Sequence, residues 1–223
     1  MNENKPKAAA IAESVFDALY LVSGISIAVL LLAAAGANHT RALYGAMALT
    51  LIAGDAFHLT PRILSVYFSG NERLASARGI GLCVTSITMT VFYLLLYEVY
   101  VSLYGIPRHA LLSALIYTLA AARVILCLMP ANDWLGRRTG ENRWSLYRNI
   151  PFLALGMIVA ALFAVRAFSG EGGPLSLMWL AITLSFAFYI PVVLLAKKRP
   201  AVGMLMLPKT CVYIWMLIMG LSL

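Results

Sequence analysis

Asp55, His58 and Arg62 stand at i, i+3 and i+7 in the run Gly54-Asp55-Ala56-Phe57-His58-Leu59-Thr60-Pro61-Arg62. On a helix this spacing puts a carboxylate, an imidazole and a guanidinium on one face, within reach of each other. A carboxylate and an imidazole so placed can exchange a proton with a bound molecule. Asp55 would deliver or accept it, and His58 would act as the second acid–base group. Pro61 removes one backbone hydrogen bond and crowds the carbonyl of Phe57, so a kink is expected beside this polar face. Far along the chain, in Leu207-Pro208-Lys209-Thr210, a second ionisable residue appears. Asp55 and Lys209 each fall near the middle of a long apolar segment. An ionised side chain at that depth costs several kcal/mol unless it is paired or faces water, so each marks a functional site.

The elements that must position these groups follow from composition. With 62% hydrophobic and 12% charged residues among 223 and a mean hydropathy of +0.86, an ordinary soluble domain is excluded. Stretches long enough to cross a hydrocarbon core run from Ser14 to Gly36, Ala42 to Phe68, Gly79 to Leu103, Ala110 to Met129, Ile150 to Phe168, Leu175 to Ala196 and Ala201 to Ser222. The expected fold is all-α, one polytopic membrane domain of seven transmembrane helices over residues 1–223. The first segment follows Lys5 and Lys7 but is long, carries Asp17 and lacks a cleavage site, so a retained helix is expected rather than a signal peptide. Cys83, Cys127 and Cys211 lie in apolar segments and imply no disulfide framework.

Alternating spans divide the loop Lys and Arg residues into two sets. On the side of the N-terminus are Lys5, Lys7, Arg62, Arg73, Arg78, Arg137, Arg138, Arg143, Arg148, Lys197, Lys198 and Arg199, twelve in all, against Arg41, Arg108 and Arg166 on the other. This asymmetry predicts a cytoplasmic N-terminus and an outer C-terminus, in a plasma (inner) membrane. The net charge of +8 is then mainly an orientation signal, and nucleic acid is excluded as a partner because no basic soluble face exists. Membrane lipids are the expected partners.

Depth, at about 1.5 Å per residue, places His58, Asp55, Lys209, Tyr189, Thr85, Ser86 and Thr88 in one slab of the cytoplasmic half. Asp17, Arg62 and Arg123 form a shallower layer in which Asp17 can neutralise either arginine. On the outer half Glu98 stands out, with Arg166 as its expected partner by depth. The catalytic candidates are therefore Asp55 and His58, and the ligand-binding candidates Lys209, Tyr189, Thr85, Ser86 and Arg62. A zinc centre needs several converging ligands, whereas the chain has three His, of which His39 and His109 lie near the outer surface; no metal is expected. A Lys in the last segment invites a retinal Schiff base, but its flanks do not match the rhodopsin pattern, and no cofactor is expected.

The longest loop, Ala131 to Arg148, alternates Asp133, Arg137, Arg138, Glu141 and Arg143 around Trp134, Trp144 and Tyr147, as an interfacial loop with aromatic anchors would. Asn38-His39-Thr40 spells a glycosylation acceptor close against the membrane. At an offset of 132, Leu21, Gly24 and Ala28 fall on Leu153, Gly156 and Ala160. At 131, Met47, Leu49, Ala56 and Phe57 fall on Met178, Leu180, Ala187 and Phe188. A repeat of segments one to three as five to seven, with the fourth as an inverting linker, resembles the 3+1+3 sugar-transporter and PQ-loop proteins, although no Pro-Gln pair is present.

Through Gly54-Asp55-Ala56, Leu59 and Pro61-Arg62 the chain resembles the lysoplasmalogenase family of polytopic membrane hydrolases. The resemblance implies hydrolysis of the vinyl-ether bond of an ether lysophospholipid, with Asp55 as the first of two acidic residues. Segment six, Ser185-Phe186-Ala187-Phe188-Tyr189, supplies no carboxylate for the second. In such an enzyme Lys209 would hold an anionic headgroup. As a transporter or receptor, the same Asp55 and Lys209 would bind a small zwitterion, with Pro61, Pro191 and Pro208 marking broken helices around a cavity. An Asp55–Lys209 ion pair that only fixes helix register is the third possibility.

Overall fold

Helix boundaries follow local chemistry. Asn38 and Asn71 lie in extended backbone, and their side-chain oxygens accept from the backbone N–H of Arg41 and Arg73, each at 3.0 Å, which satisfies donors that a helix start leaves free. Gly105, with φ of 58°, closes a helix in the left-handed region that glycine adopts without strain. The computed structural model describes residues 7–68, 70–136, 143–196 and 198–223. In it the helices are α1 (Lys7–Ala33), α2 (His39–Tyr67), α3 (Glu72–Tyr104), α4 (Ala110–Leu128), α5 (Trp144–Phe168), α6 (Met178–Leu195) and α7 (Met206–Met219). No strand occurs among the described residues. Counting the 3-10 turns that extend α6 and α7, all seven are long and apolar enough to cross a membrane, which fits an integral multi-pass membrane protein.

Each helix packs on the next, α1 meets α7, and α3 also packs on α5. The core follows α3, whose Phe92, Tyr93, Leu96 and Tyr97 are buried. Tyr93 lies edge-on to Phe152 at 5.4 Å and stacks on Phe186 at 5.8 Å, geometries that suit ring quadrupoles.

Several expectations are corrected. Trp144, Tyr147 and Arg148 belong to α5 rather than to a loop, and Pro130–Asn132 forms a 3-10 turn; Arg137, Arg138 and Glu141 lie outside the described residues, as do Lys5 and Lys197. Asn38 serves as the α2 cap, and its side-chain nitrogen donates to the Leu223 carbonyl at 3.4 Å. Glu98 does not pair with Arg166. The turn at Gly105 brings Arg108 back onto Glu98, which also accepts from Tyr117 at 2.5 Å, while Arg166 pairs with Glu171. The hydrogen bond and charge of Glu98 hold the Arg108 guanidinium above its ordinary range. Cys83, Cys127 and Cys211 are all free thiols.

The two proposed triplets share a burial register. Asp17, Tyr20, Gly24, Ala28 and Leu31 of α1 are buried, and at an offset of 132 so are Asn149, Phe152, Gly156, Ala160 and Phe163 of α5. The buried Tyr44, Met47, Leu51, Gly54 and Asp55 fall at 131 on the buried Leu175, Met178, Ile182, Ser185 and Phe186. At 120, Met89, Phe92, Tyr93, Leu96, Tyr97 and Tyr100 of α3 fall on Lys209, Val212, Tyr213, Met216, Leu217 and Gly220, buried in turn. One pair contact has a counterpart. Tyr20 meets Asp55, and their counterparts Phe152 and Phe186 meet at 5.1 Å between ring centroids.

The tightest seam joins α2 to α3. Pro61 cannot donate to the Phe57 carbonyl, and that oxygen points at Gly81, where a Cβ would overlap it; a Cβ at Gly54 would likewise overlap Thr88 Oγ1. Gly81→Ala is therefore expected to destabilise by about 1–3 kcal/mol, since backbone must move to admit the methyl. Gly203→Ala, with open space around it, is expected to leave stability unchanged within about 0.5 kcal/mol. Melting temperatures of the two variants in one detergent check the contrast.

Candidate functional site

All seven residues singled out in the sequence, Asp55, His58, Arg62, Thr85, Ser86, Tyr189 and Lys209, line one cavity of about 160 Å³. Its wall takes residues from the starts of α1, α3, α5 and α7 and from the ends of α2, α4 and α6, so it occupies one end of the bundle, and consecutive helices run in opposite directions past it.

The α2–α3 seam sets the orientation of His58. Thr85 Oγ1 donates its single proton to the Gly54 carbonyl at 2.7 Å, because a carbonyl can only accept. The contact of 2.8 Å between Thr85 Oγ1 and His58 Nδ1 then requires Nδ1 to carry the hydrogen and donate it. Neutral His58 thus keeps its proton on Nδ1, leaving Nε2 as a free lone pair, an arrangement in which the partner of one ring nitrogen selects the role of the other. Ser86 points back along its helix, its hydroxyl donating to the Leu82 carbonyl at 2.8 Å, and Thr88 donates to the Thr85 carbonyl at 3.2 Å and stands in the seam rather than in the cavity wall.

Asp55, 7% exposed, accepts from the Tyr20 hydroxyl of α1 at 2.7 Å. Among the described residues neither His58 nor Lys209 bonds it. The Lys209 ammonium stands over the Tyr213 ring at 4.2 Å and the Tyr189 ring at 5.1 Å, an attractive placement for a cation but not a neutralising one. The ion pair that would merely fix register does not form. Tyr189 is steadied by donating its hydroxyl to Asn149 Oδ1 at 3.0 Å. Arg62 is held differently, by an ion pair to Glu13 and a second to Asp17 at 3.6 Å. It ties α1 to α2 at the edge of the cavity, so its charge is already compensated.

Two cations and an indole of the cavity wall escaped the sequence reading of the site. Arg123, 2% exposed, lays its guanidinium on the Phe152 ring at 3.2 Å; the shallow layer contained it, but nothing in the pattern separates it from Asp17, which Arg62 takes instead. Arg148 counted as a loop cation, yet α5 begins early enough to bring it inward. It donates to Asn132 Oδ1 at 2.8 Å and covers the Trp134 ring at 4.2 Å. Trp134 itself donates its indole N–H to the Cys127 carbonyl at 2.9 Å and walls the cavity instead of anchoring a loop. Among the described residues no group of three His, Cys, Asp or Glu comes together.

Four guanidinium or ammonium groups and two carboxylates thus meet around a small volume, with one proton acceptor, His58 Nε2, and one carboxyl group, Asp55, that makes no salt bridge among the described residues. The arrangement can bind an anionic group and move a proton beside it. Tyr20→Phe removes the donor to Asp55 Oδ2 and is expected to cost about 1–3 kcal/mol. The same change in an Asp55→Asn background is expected to cost measurably less, as coupled partners do. Melting temperatures of the two single variants and the double variant measure that coupling.

The chain matches no family model, no curated protein and no solved structure.

Proposed function

We propose that the chain is a membrane-embedded, lipid-handling hydrolase of the lysoplasmalogenase kind, in which Asp55 and His58 act on the vinyl-ether bond of an ether lysophospholipid. The observation that supports it most is the relay Gly54–Thr85–His58, which prepares an unprotonated Nε2 in the same cavity as the Asp55 carboxyl group. His58 takes the part that the resemblance gives to a second acidic residue, which α6 lacks.

The reaction balances with these two groups and one water. Protonated Asp55 gives its proton to the outer vinyl carbon. The π electrons form the new C–H bond, and positive charge develops at the carbon bonded to oxygen, beside the carboxylate just formed. Water adds to that carbon as His58 Nε2 takes its proton. The hemiacetal then breaks its bond to the glycerol oxygen, which receives the proton from His58, while the remaining hydroxyl proton returns to Asp55. The products are a fatty aldehyde and the chain-free glycerophosphodiester, its glycerol hydroxyl now free.

In this reading the excess of Lys and Arg on the N-terminal side orients the N-terminus to the cytoplasm and the C-terminus outside. The cavity then belongs to the cytoplasmic half of a plasma (inner) membrane. Asp55→Asn and His58→Gln are each expected to lower turnover of a lysoplasmalogen by about 10²–10⁴-fold, and Thr85→Val by less, since it releases the tautomer without removing the base. Aldehyde release by the purified protein in nanodiscs is the measurement; full activity in either of the first two variants rejects the assignment.

A second reading is favoured by one observation, the burial register shared by α1–α3 and α5–α7. It supports a 3+1+3 pseudo-repeat with α4 as linker, an architecture suited to a small-solute transporter or receptor. Here Lys209→Met is expected to abolish binding of a zwitterionic solute with the melting temperature preserved, and no vinyl ether is cleaved. Solute binding to proteoliposomes, beside the aldehyde assay, decides between the two.

A further inference from the structure

Lys209 is the one lysine carried inside a span; Lys7 and Lys198, the others among the described residues, are exposed near helix ends. Lys209 is 8% exposed. Among the described residues its ammonium meets no carboxylate, only the ring faces of Tyr213 at 4.2 Å and Tyr189 at 5.1 Å. A compact ammonium is strongly hydrated, and here it gives up that hydration without a counter-charge. A lysine desolvated in an apolar pocket is the kind of amine that adds to carbonyl compounds. The iminium that results keeps its charge over the same rings, with one N–H in place of three to be left without water.

The carbonyl compound that suits this position carries a long hydrocarbon chain. Beside the cavity an almost wholly apolar groove runs between α5 and α6, walled by Leu153, Phe186, Ile190 and Val193. Tyr189, whose ring faces the ammonium, lines the groove as well as the cavity. A carbonyl carbon joined to Nζ therefore has a hydrocarbon slot one ring away. Water is the other product of imine formation, so a site that excludes water holds an adduct that an exposed amine would lose to hydrolysis.

We propose that Lys209 captures a long-chain aliphatic aldehyde as a protonated imine, with the chain laid along the α5–α6 groove. The ammonium gives one proton to His58 Nε2, which lines the same cavity. The nitrogen pair then bonds to the carbonyl carbon as the C–O π pair moves to oxygen, and that oxygen takes a second proton from nitrogen. His58 returns the first proton to the hydroxyl so formed. Water leaves, and the nitrogen pair closes the C=N bond with one N–H and the positive charge retained. No oxidant or reductant takes part. The hydrolase reading supplies one source of aldehyde, released in the same cavity, and the bilayer supplies another, so the capture does not depend on that reading.

The test uses the full chain in phosphatidylcholine nanodiscs, whose lipid has no primary amine to compete. Hexadecanal or butanal is added, cyanoborohydride fixes any imine as a secondary amine, and peptide mass spectrometry locates the added chain. Hexadecanal is expected on Lys209 in preference to Lys7 and Lys198, and butanal without that preference. Lys209→Arg, which keeps a cation but offers no amine nucleophile, is expected to lose the adduct. Val193→Trp, which fills the groove, is expected to lose the preference for the long chain. The peptide map of the unaltered protein decides the matter if Lys209→Arg does not fold. Labelling of Lys209 by hexadecanal that is no greater than that of Lys7 and Lys198, or that Val193→Trp leaves unchanged, overturns the proposal. A lysoplasmalogen added in place of the aldehyde separates the two sources. Label at Lys209 from hexadecanal, with neither label nor free aldehyde from the lysoplasmalogen, sinks the hydrolase reading and leaves the capture. Aldehyde release with Lys209 unlabelled does the reverse.

Discussion

The close approach of α2 to α3 governs the site. Two residues without side chains, Gly54 and Gly81, let the backbones meet, and Pro61 leaves the Phe57 carbonyl free to lie against Gly81. Only at that separation does Thr85 of α3 reach the Gly54 carbonyl and His58 at the same time. One additional methyl in the seam would force the helices apart by a fraction of an ångström, enough to lengthen both hydrogen bonds and release the imidazole tautomer. The chemistry of His58 is thus set by packing between two backbones, one turn away from the ring itself.

From that seam the other elements take their places. The α1 helix is fastened to α2 at two depths, by Tyr20 on Asp55 and by Glu13 and Asp17 on Arg62. Glu13, Asp17 and Tyr20 thereby meet polar groups of α2 rather than Arg123 or Lys209 opposite, among the described residues. On the far wall the aromatic core continues into the cavity. Phe152 packs on Tyr93 and Phe186 and supports Arg123 with its face. On this wall Arg123 and Lys209 are carried on rings rather than on counter-charges, so that side of the cavity retains its positive character.

Much of this could be read from residue types. Ionisable residues inside long apolar runs are rare and conspicuous, and depth along each run gathers six of the seven chosen residues into one slab; the cavity wall adds Arg62 from the shallower layer and leaves out Thr88 of the same slab. Depth alone says nothing about azimuth. Asp17, Arg62 and Arg123 share a layer, but Arg62 faces α1 and Arg123 faces α5; Glu98 and Arg166 share a depth and yet each takes a neighbour supplied by a turn, Arg108 and Glu171. Tyr20 carried no signal, since one more aromatic in an apolar helix has nothing to distinguish it. Arg148 is hidden by the helix boundary: an amphipathic first turn of α5 reads as loop, because hydropathy registers the apolar span and not the helix that extends beyond it, whereas Trp134 does lie in the connection after Pro130–Asn132 and its sequence position says nothing of the fold-back that puts it against the cavity.

The electrostatics of the cavity also bear on why the polar cluster exists. A buried charge pair that serves only to fix register gains by being neutral, since each ion's desolvation is offset by its partner. Asp55 and Lys209 had that option within one cavity and did not take it. Asp55 is satisfied by a neutral hydroxyl, and Lys209 by two ring faces, so both keep their capacity to interact with a third group. Arg123 carries the same logic further, with two guanidinium nitrogens unbonded at 2% exposure. Stability alone would favour replacing such a residue by an apolar one of similar size. Its retention is physically reasonable where the missing half of the interaction arrives from outside the chain, and the sign of that half is then negative.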